Sequence, residues 1–293
     1  PEVIGLILGA YVLSMIRGEH QSKGGSSPII RFILGFFVMI GALMFLGCPL
    51  RMILRLGGGD LNALFGIAGF AGGVGIGTIF LKRGYSLQRT YALSKLESAI
   101  MPAIQVGLLV LVVTAPAFIF FSQKGPGAMH APWLISLAAG LVVGGLSQYS
   151  RLCTVGGFRD LFLFKKSVLI FGYIAVLVGV FAVNISFGNF HLGFENQPVS
   201  HTDGLWNFLG MALAGFCSVL LGGCPLRQLI MTGEGNSDSA VTVLGLAAGA
   251  AFAHNFGLAA SGAGPTLNGQ IAVGIGFVVA LIIAVLNTKR SNA

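Results

Sequence analysis

The chain has four cysteines, and two of them sit in identical five-residue settings. Gly47-Cys48-Pro49-Leu50-Arg51 recurs as Gly223-Cys224-Pro225-Leu226-Arg227, 176 residues later. Proline suits the first position of a helix, where its missing N–H would have had no partner. Each motif therefore predicts a cysteine at the N-cap of a short helix. The free N–H groups and positive dipole end of such a helix surround the sulfur and favour an anion there. Arg51 and Arg227 add a fixed positive charge about one turn on. A third cysteine, Cys153, lies in Arg151-Leu152-Cys153-Thr154-Val155-Gly156-Gly157-Phe158-Arg159-Asp160, again with an arginine close behind. Cys217 precedes Cys224 by seven residues in an apolar run, about two helical turns away. Four thiols and three arginines so placed suggest a file of weak donors along which an anion passes.

The elements that position them follow from composition. Of 293 residues, 55% are apolar and only 9% charged, and 45 are glycine. A water-soluble surface needs roughly 25% charge, so soluble enzymes, nucleic-acid binders and disordered chains are excluded. The mean hydropathy is +0.88. The expectation is an all-α polytopic membrane protein. Runs of about 20 apolar residues cross the hydrocarbon, and nine are read: roughly 2–16, 28–47, 60–81, 98–121, 132–149, 166–187, 205–222, 239–258 and 268–287. Glycines in the third, fifth and eighth predict close helix contacts. Fourteen of the 17 Lys and Arg fall on one side of these spans, leaving Arg51, Arg55 and Lys124 on the other. The positive-inside rule then places the C-terminus in the cytoplasm and the loop 188–204 outside.

The 176-residue repeat extends beyond the cysteines: Gly57 and Gly59 fall on Gly233 and Gly235, and Gly69, Ala71 and Gly73 on Gly245, Ala247 and Gly249. The copies follow the second and seventh spans. Five spans apart gives them opposite orientation, the inverted-topology repeat of many transporters. Residues 1–123 form the first half and 124–293 the second. Cys48 is then approached from outside, and Cys153 and Cys224 from the cytoplasm. The fifth span and its Cys153 loop have no partner in the first half, and the chain starts with Pro. The native protein is therefore expected to carry an upstream span with a further cysteine-bearing loop, the alternative being an incomplete repeat.

Other chemistries fit less well. The cysteine spacings contain no Cys-x2-Cys pair and the histidines are scattered, so no metal site is expected. A disulfide between Cys217 and Cys224 along one helix is geometrically poor. No P-loop or other cofactor motif is present. Cysteine also serves as a small buried hydrophobe, the simplest alternative for Cys217. Two rival classes stay open: a membrane thiol redox enzyme using Cys217 and Cys224, and an anion channel with packed cysteines.

The two Gly-Cys-Pro-Leu-Arg loops and the Arg-x-Cys-x-x-Gly-Gly-x-Arg-Asp loop, on an inverted repeat of Gly-rich spans, resemble the YeeE/YedE family of bacterial inner-membrane proteins over essentially the whole chain. Relatives in that family take up thiosulfate, passing it along buried cysteines by S–H···S contacts. This form of the motif resembles the YedE branch, which is associated with selenium transport. The resemblance implies import of a small sulfur- or selenium-containing anion, a relay role for Cys48, Cys224 and Cys153, and a small cytosolic sulfur-carrier-like partner. It implies transport rather than catalysis. Cys217 has only its position to support it. A helix N-terminus lowers a thiol pKa and burial raises it. Neutral thiols are expected at the relay, because a thiolate would repel the anion.

Overall fold

The computed structural model describes residues 1–115 and 131–288, and these are mostly helical. Nine long helices lie among the described residues: α1 (Glu2–Ile16), α2 (Pro28–Phe45), α4 (Asn62–Lys82), α5 (Lys95–Thr114), α6 (Trp133–Ser150), α8 (Val168–Ser186), α9 (Gly204–Leu221), α11 (Ser237–Asn255) and α12 (Leu267–Leu286). Three short helices are interposed: α3 (Pro49–Gly57), α7 (Thr154–Phe164) and α10 (Pro225–Gly233). Two-residue strands β1 (Lys23–Gly24) and β2 (Tyr91–Ala92) pair antiparallel. The fold is that of an all-α polytopic membrane protein, and seven of its helical segments are long and apolar enough to cross a bilayer. The two expected spans outside that set have physical reasons. Helix α1 has 15 residues, short of the roughly 20 that hydrocarbon demands, and α11 is diluted by Ser237, Asp238, Ser239 and Thr242. The end of the fourth expected span, the boundary between residues 123 and 124, and Lys124, Lys289 and Arg290 lie outside the described residues.

Helix limits repeat with the sequence. α2 and α9 begin and end 176 residues apart, and so do α3 and α10. Local chemistry sets many of these limits. Asp203 accepts the Trp206 amide at 3.1 Å to start α9, and Gly222 ends it at φ +83°. Ser94 caps α5 by accepting the Glu97 amide at 3.3 Å, and its hydroxyl donates to the Glu97 carboxylate at 3.1 Å.

The chain forms two compact units, each drawn from separate stretches of sequence. The first comprises Pro1–Ser26, Arg89–Leu152 and Arg227–Val241. In it α1 lies against α6 through small residues on both helices: a Cβ on Gly5 would fall 2.6 Å from the Leu137 carbonyl oxygen, and one on Gly140 2.5 Å from that of Glu2. Asp238 accepts from the Gly25 amide and from both the amide and hydroxyl of Ser26 at 2.8–3.0 Å, which ties the β1 loop to the start of α11.

The second unit comprises Ser27–Gln88, Cys153–Leu226 and Thr242–Ala293. Its centre is α9, buried without a break from Gly210 to Leu221 and flanked by α2 and α4. Backbone approaches backbone along these seams, as glycine permits in membranes. A Cβ on Gly73 or Gly69 of α4 would overlap the carbonyl oxygen of Ala212 or Phe208. At the rim, α8 is a mix of exposed and half-buried residues with one buried residue, Tyr173. Bulk at the seam should therefore cost stability, while bulk on the open face should not. Gly73→Leu is expected to destabilise by at least about 1–3 kcal/mol through overpacking, read as a lowered thermal midpoint in detergent. Gly179→Leu on α8, with nothing within 4 Å of its Cβ position, should leave the midpoint unchanged.

Candidate functional site

Each of the three motif cysteines stands directly before a short helix, so chain geometry alone presents it to a helix N-terminus. Cys48 is the N-cap of α3, in extended conformation (φ −76°, ψ 169°), with Pro49 in the first helical position. Cys153 is the N-cap of α7, and its Sγ accepts the Gly156 amide at 3.3 Å. Gly156 lets α7 lie close to α8: a Cβ there would meet the Leu169 side chain at 2.8 Å. Cys224 directly precedes Pro225, the first residue of α10. All three belong to the second unit and converge within it. The Cys153 and Cys224 thiols lie within hydrogen-bonding reach of each other, and Cys48 is within electrostatic reach of Cys224. Cys153 and Cys224 are buried and Cys48 is partly open.

Cys48 forms part of the wall of a cavity of about 650 Å³, shared with Arg51, Asn184, Asn189, His191 and Gln197. This cavity combines a thiol, a guanidinium and side-chain amides, the donors a small anion needs. Its floor is braced by a buried ion pair. Arg55 Nε donates to Asp60 at 2.7 Å, and its other nitrogens donate at 2.5 Å to the Phe45 carbonyl and Ser200 Oγ. Asp60 also accepts the amide and side-chain nitrogen of Asn62 at 2.9 Å. A buried charge pair tolerates its site only when its remaining hydrogen-bonding capacity is met, and here it is. The stretch 191–194 is zipped onto the end of α3 by backbone bonds from His191 to Gly58, Gly193 to Gly59 and Leu61 to Gly193, each 3.0 Å.

The three arginines expected to position an anion differ in their partners. Arg159 is bound by its neighbour Asp160 at 2.8 Å. In the first unit, Arg227 makes two 3.0 Å bonds to the two oxygens of Glu234, and Glu234 also holds Arg151 at 2.9 Å. Arg151 in turn reaches Glu19 at 2.7 Å, which pairs with Arg17 at 3.1 Å. Arg51 has no carboxylate partner among the described residues and opens onto the cavity. Its stem packs over Gly47, where a Cβ would stand 2.8 Å from Arg51 Cδ.

Cys217 is placed elsewhere. It is fully buried on α9 in an apolar cluster with Leu34, Leu213 and Leu220, not with the other three sulfurs. All four cysteines are free thiols. Reading the sequence missed Tyr173 and Thr154, whose hydroxyls bond at 2.5 Å within electrostatic reach of all three motif cysteines. It also missed the Arg227–Glu234 pairing, although the seven-residue spacing, about two turns, was visible.

Residues 149–288 match the family described as Sulphur transport. They contain Cys153, Cys217 and Cys224. The chain is also 27% identical over 115 residues to the thiosulfate transporter TsuA of Escherichia coli (strain K12). That similarity covers 36% of this chain and 30% of the relative's length.

The stretch beside the cavity carries a titratable brace. His201 is buried, Nε2 donates to the Met44 carbonyl at 2.8 Å, and its own carbonyl accepts from Asn207. Burial holds its pKa below the ordinary imidazole value, a lowering that the Met44 carbonyl and Asp203 only partly offset. The unfolded chain then binds the proton more readily. The neutral histidine's contribution is complete above about pH 6.5 and is lost as pH falls further. The thermal midpoint should therefore drop between about pH 7 and pH 5, and His201→Gln should flatten that part of the profile.

Proposed function

We propose, from the membership of residues 149–288 in the sulphur-transport family, that this protein carries a small sulfur-containing anion across the bacterial inner membrane. The observation that carries the reading is the convergence of Cys48, Cys153 and Cys224 at the starts of three short helices, with Cys48 open to a cavity that Arg51 also lines. Such an anion is charged at its oxygens and soft at its terminal sulfur. Arg51 and helix N–H groups suit the charge. Thiols, as weak donors, suit the soft atom and bind it weakly enough to release it. Weak sites in series let a substrate enter and leave. The anion enters at the cavity, meets Arg51 and Cys48, and passes to Cys224 and Cys153. Arg227 and Arg159 are paired with Glu234 and Asp160, so charge recognition falls mainly to Arg51. Cys217, set in apolar surroundings, serves packing in this scheme.

Thiosulfate is the favoured substrate, in keeping with the named relative. The second reading, a selenium compound, rests on the form of the cysteine motifs. Entry is from outside, the C-terminus is cytoplasmic, and a small sulfur-carrier-like protein consumes the product. The thiol redox alternative would need Cys217 and Cys224 together, whereas Cys224 adjoins Cys153.

Uptake of radiolabelled thiosulfate into proteoliposomes tests the proposal. Cys48→Ala and Cys224→Ala should abolish uptake, and the serine variants should retain part of it. Arg51→Gln should raise KM roughly tenfold or more, the effect of losing a charge-assisted bond. Cys217→Ala should leave transport nearly intact. A protein that tolerates all four alanine substitutions is a plain anion channel, and one that loses activity on reduction by dithiothreitol is a redox enzyme. Stronger competition by selenosulfate than by unlabelled thiosulfate would shift the substrate to selenium.

A further inference from the structure

Tyr173 is anomalous on its helix. α8 is apolar, its other side chains are exposed or half-buried, and Tyr173 is the one buried residue within it. A phenol hydroxyl buried in a membrane protein requires a partner. Tyr173 finds Thr154 Oγ, 2.5 Å away, in the first turn of α7 and next to Cys153. Neither hydroxyl has another hydrogen-bond partner among the described residues.

Proton counting gives this pair a consequence. Two hydroxyls hold two hydrogens. One is used in the mutual bond, whichever oxygen donates, and the other has no acceptor. A spare O–H buried away from water is costly unless something arrives to accept it. It lies within electrostatic reach of Cys48, Cys153 and Cys224. The thiols can engage a soft sulfur, yet a passing oxyanion also presents hard oxygens. At this depth Arg159 is occupied by Asp160, and the Gly156 amide is occupied by Cys153 Sγ. The hydroxyl pair adds a side-chain donor that is not already taken.

We propose that Tyr173 and Thr154 form the oxygen-binding half of the internal substrate site, donating to the oxygens of the anion while the cysteines hold its terminal sulfur. This deepens the transport reading and rests on it. Tyr173 is then a specificity residue. It favours anions carrying both a soft sulfur and hard oxygens over soft anions with no oxygen. The mutual hydroxyl bond closes the pair when the site is empty, and the anion's oxygens take its place when the site is filled.

The test is thiosulfate uptake by full-length protein in proteoliposomes, with wild type, Tyr173→Phe, Thr154→Ser, Thr154→Val and Cys224→Ala compared. Phenylalanine keeps the ring and removes the hydroxyl. Tyr173→Phe should raise KM for thiosulfate ten- to hundredfold, the effect of one lost bond to a charged group. Its thermal midpoint, and the alkylation rate of Cys153 by a neutral maleimide, should match wild type. Thr154→Val should likewise raise KM for thiosulfate, and Thr154→Ser, which keeps the hydroxyl, should retain more uptake than Thr154→Val. Wild-type KM in Tyr173→Phe would overturn the proposal. So would a loss of uptake accompanied by a lowered midpoint or altered Cys153 alkylation, since the bond would then be one of packing. Undiminished uptake by Cys224→Ala would instead show that the thiol relay itself is wrong, a failure of the parent reading.

Discussion

A peptide N–H left without a partner away from water costs several kcal/mol, and every helix begins with four of them. Much of this structure follows from that constraint. Three short helices start within the chain's apolar architecture, at Pro49, Thr154 and Pro225. Proline removes one orphan donor from two of them. Cys153 Sγ takes the Gly156 amide of the third. The remaining donors give these helix starts a positive character, which an anion can relieve. Cysteine at the cap then has a double fitness: it leaves the dipole unneutralised where aspartate would cancel it, and it offers a thiol to a soft atom.

Positioning the three starts demands close helix contacts, and glycine supplies them. α9 is gripped by α2 and α4 through Gly41, Gly69, Gly73, Gly210 and Gly215, several of them seated against carbonyl oxygens of the facing helix. The buried Arg55–Asp60 pair anchors the 191–201 stretch above α3 through Ser200 and thereby shapes the cavity at Cys48. Its desolvation is offset by the Phe45 carbonyl, Asn62 and Ser200. Charge is distributed unevenly over the motif arginines: Arg227 and Arg159 have carboxylates, and Arg51 faces open space. Repeated sequence has thus diverged in electrostatic function, because the position equivalent to Glu234 in the first copy is Gly58.

What was legible in the sequence was whatever rests on local chemistry or on the repeat. Pro49 and Pro225 announced their helices, and the 176-residue offset predicted the matching limits of α2 and α9. Glycine-rich spans announced the seams. What was hidden depends on partners far apart in the chain. Tyr173 reads as one more aromatic residue in an apolar span until Thr154, 19 residues earlier, is placed beside it. Ser200 and Arg55, separated by 145 residues, reveal their bond only when the fold closes. Cys217 was the opposite case: its spacing from Cys224 suggested a stepping stone, and its surroundings are Leu34, Leu213 and Leu220. Periodicity places a residue along a helix, but the facing helices decide what it meets.

Motif cysteines remote in sequence meet at one place in this molecule. The most direct measurement is a cross-link between Cys153 and Cys224 in full-length protein carrying Cys48→Ala and Cys217→Ala, with a protease site inserted after Glu195. After oxidation with copper–phenanthroline and cleavage, a non-reducing denaturing gel reports whether the two fragments are joined. The account predicts that they stay joined, and that dithiothreitol or Cys224→Ala separates them. Separated fragments under conditions that oxidise an exposed control pair to completion would contradict it.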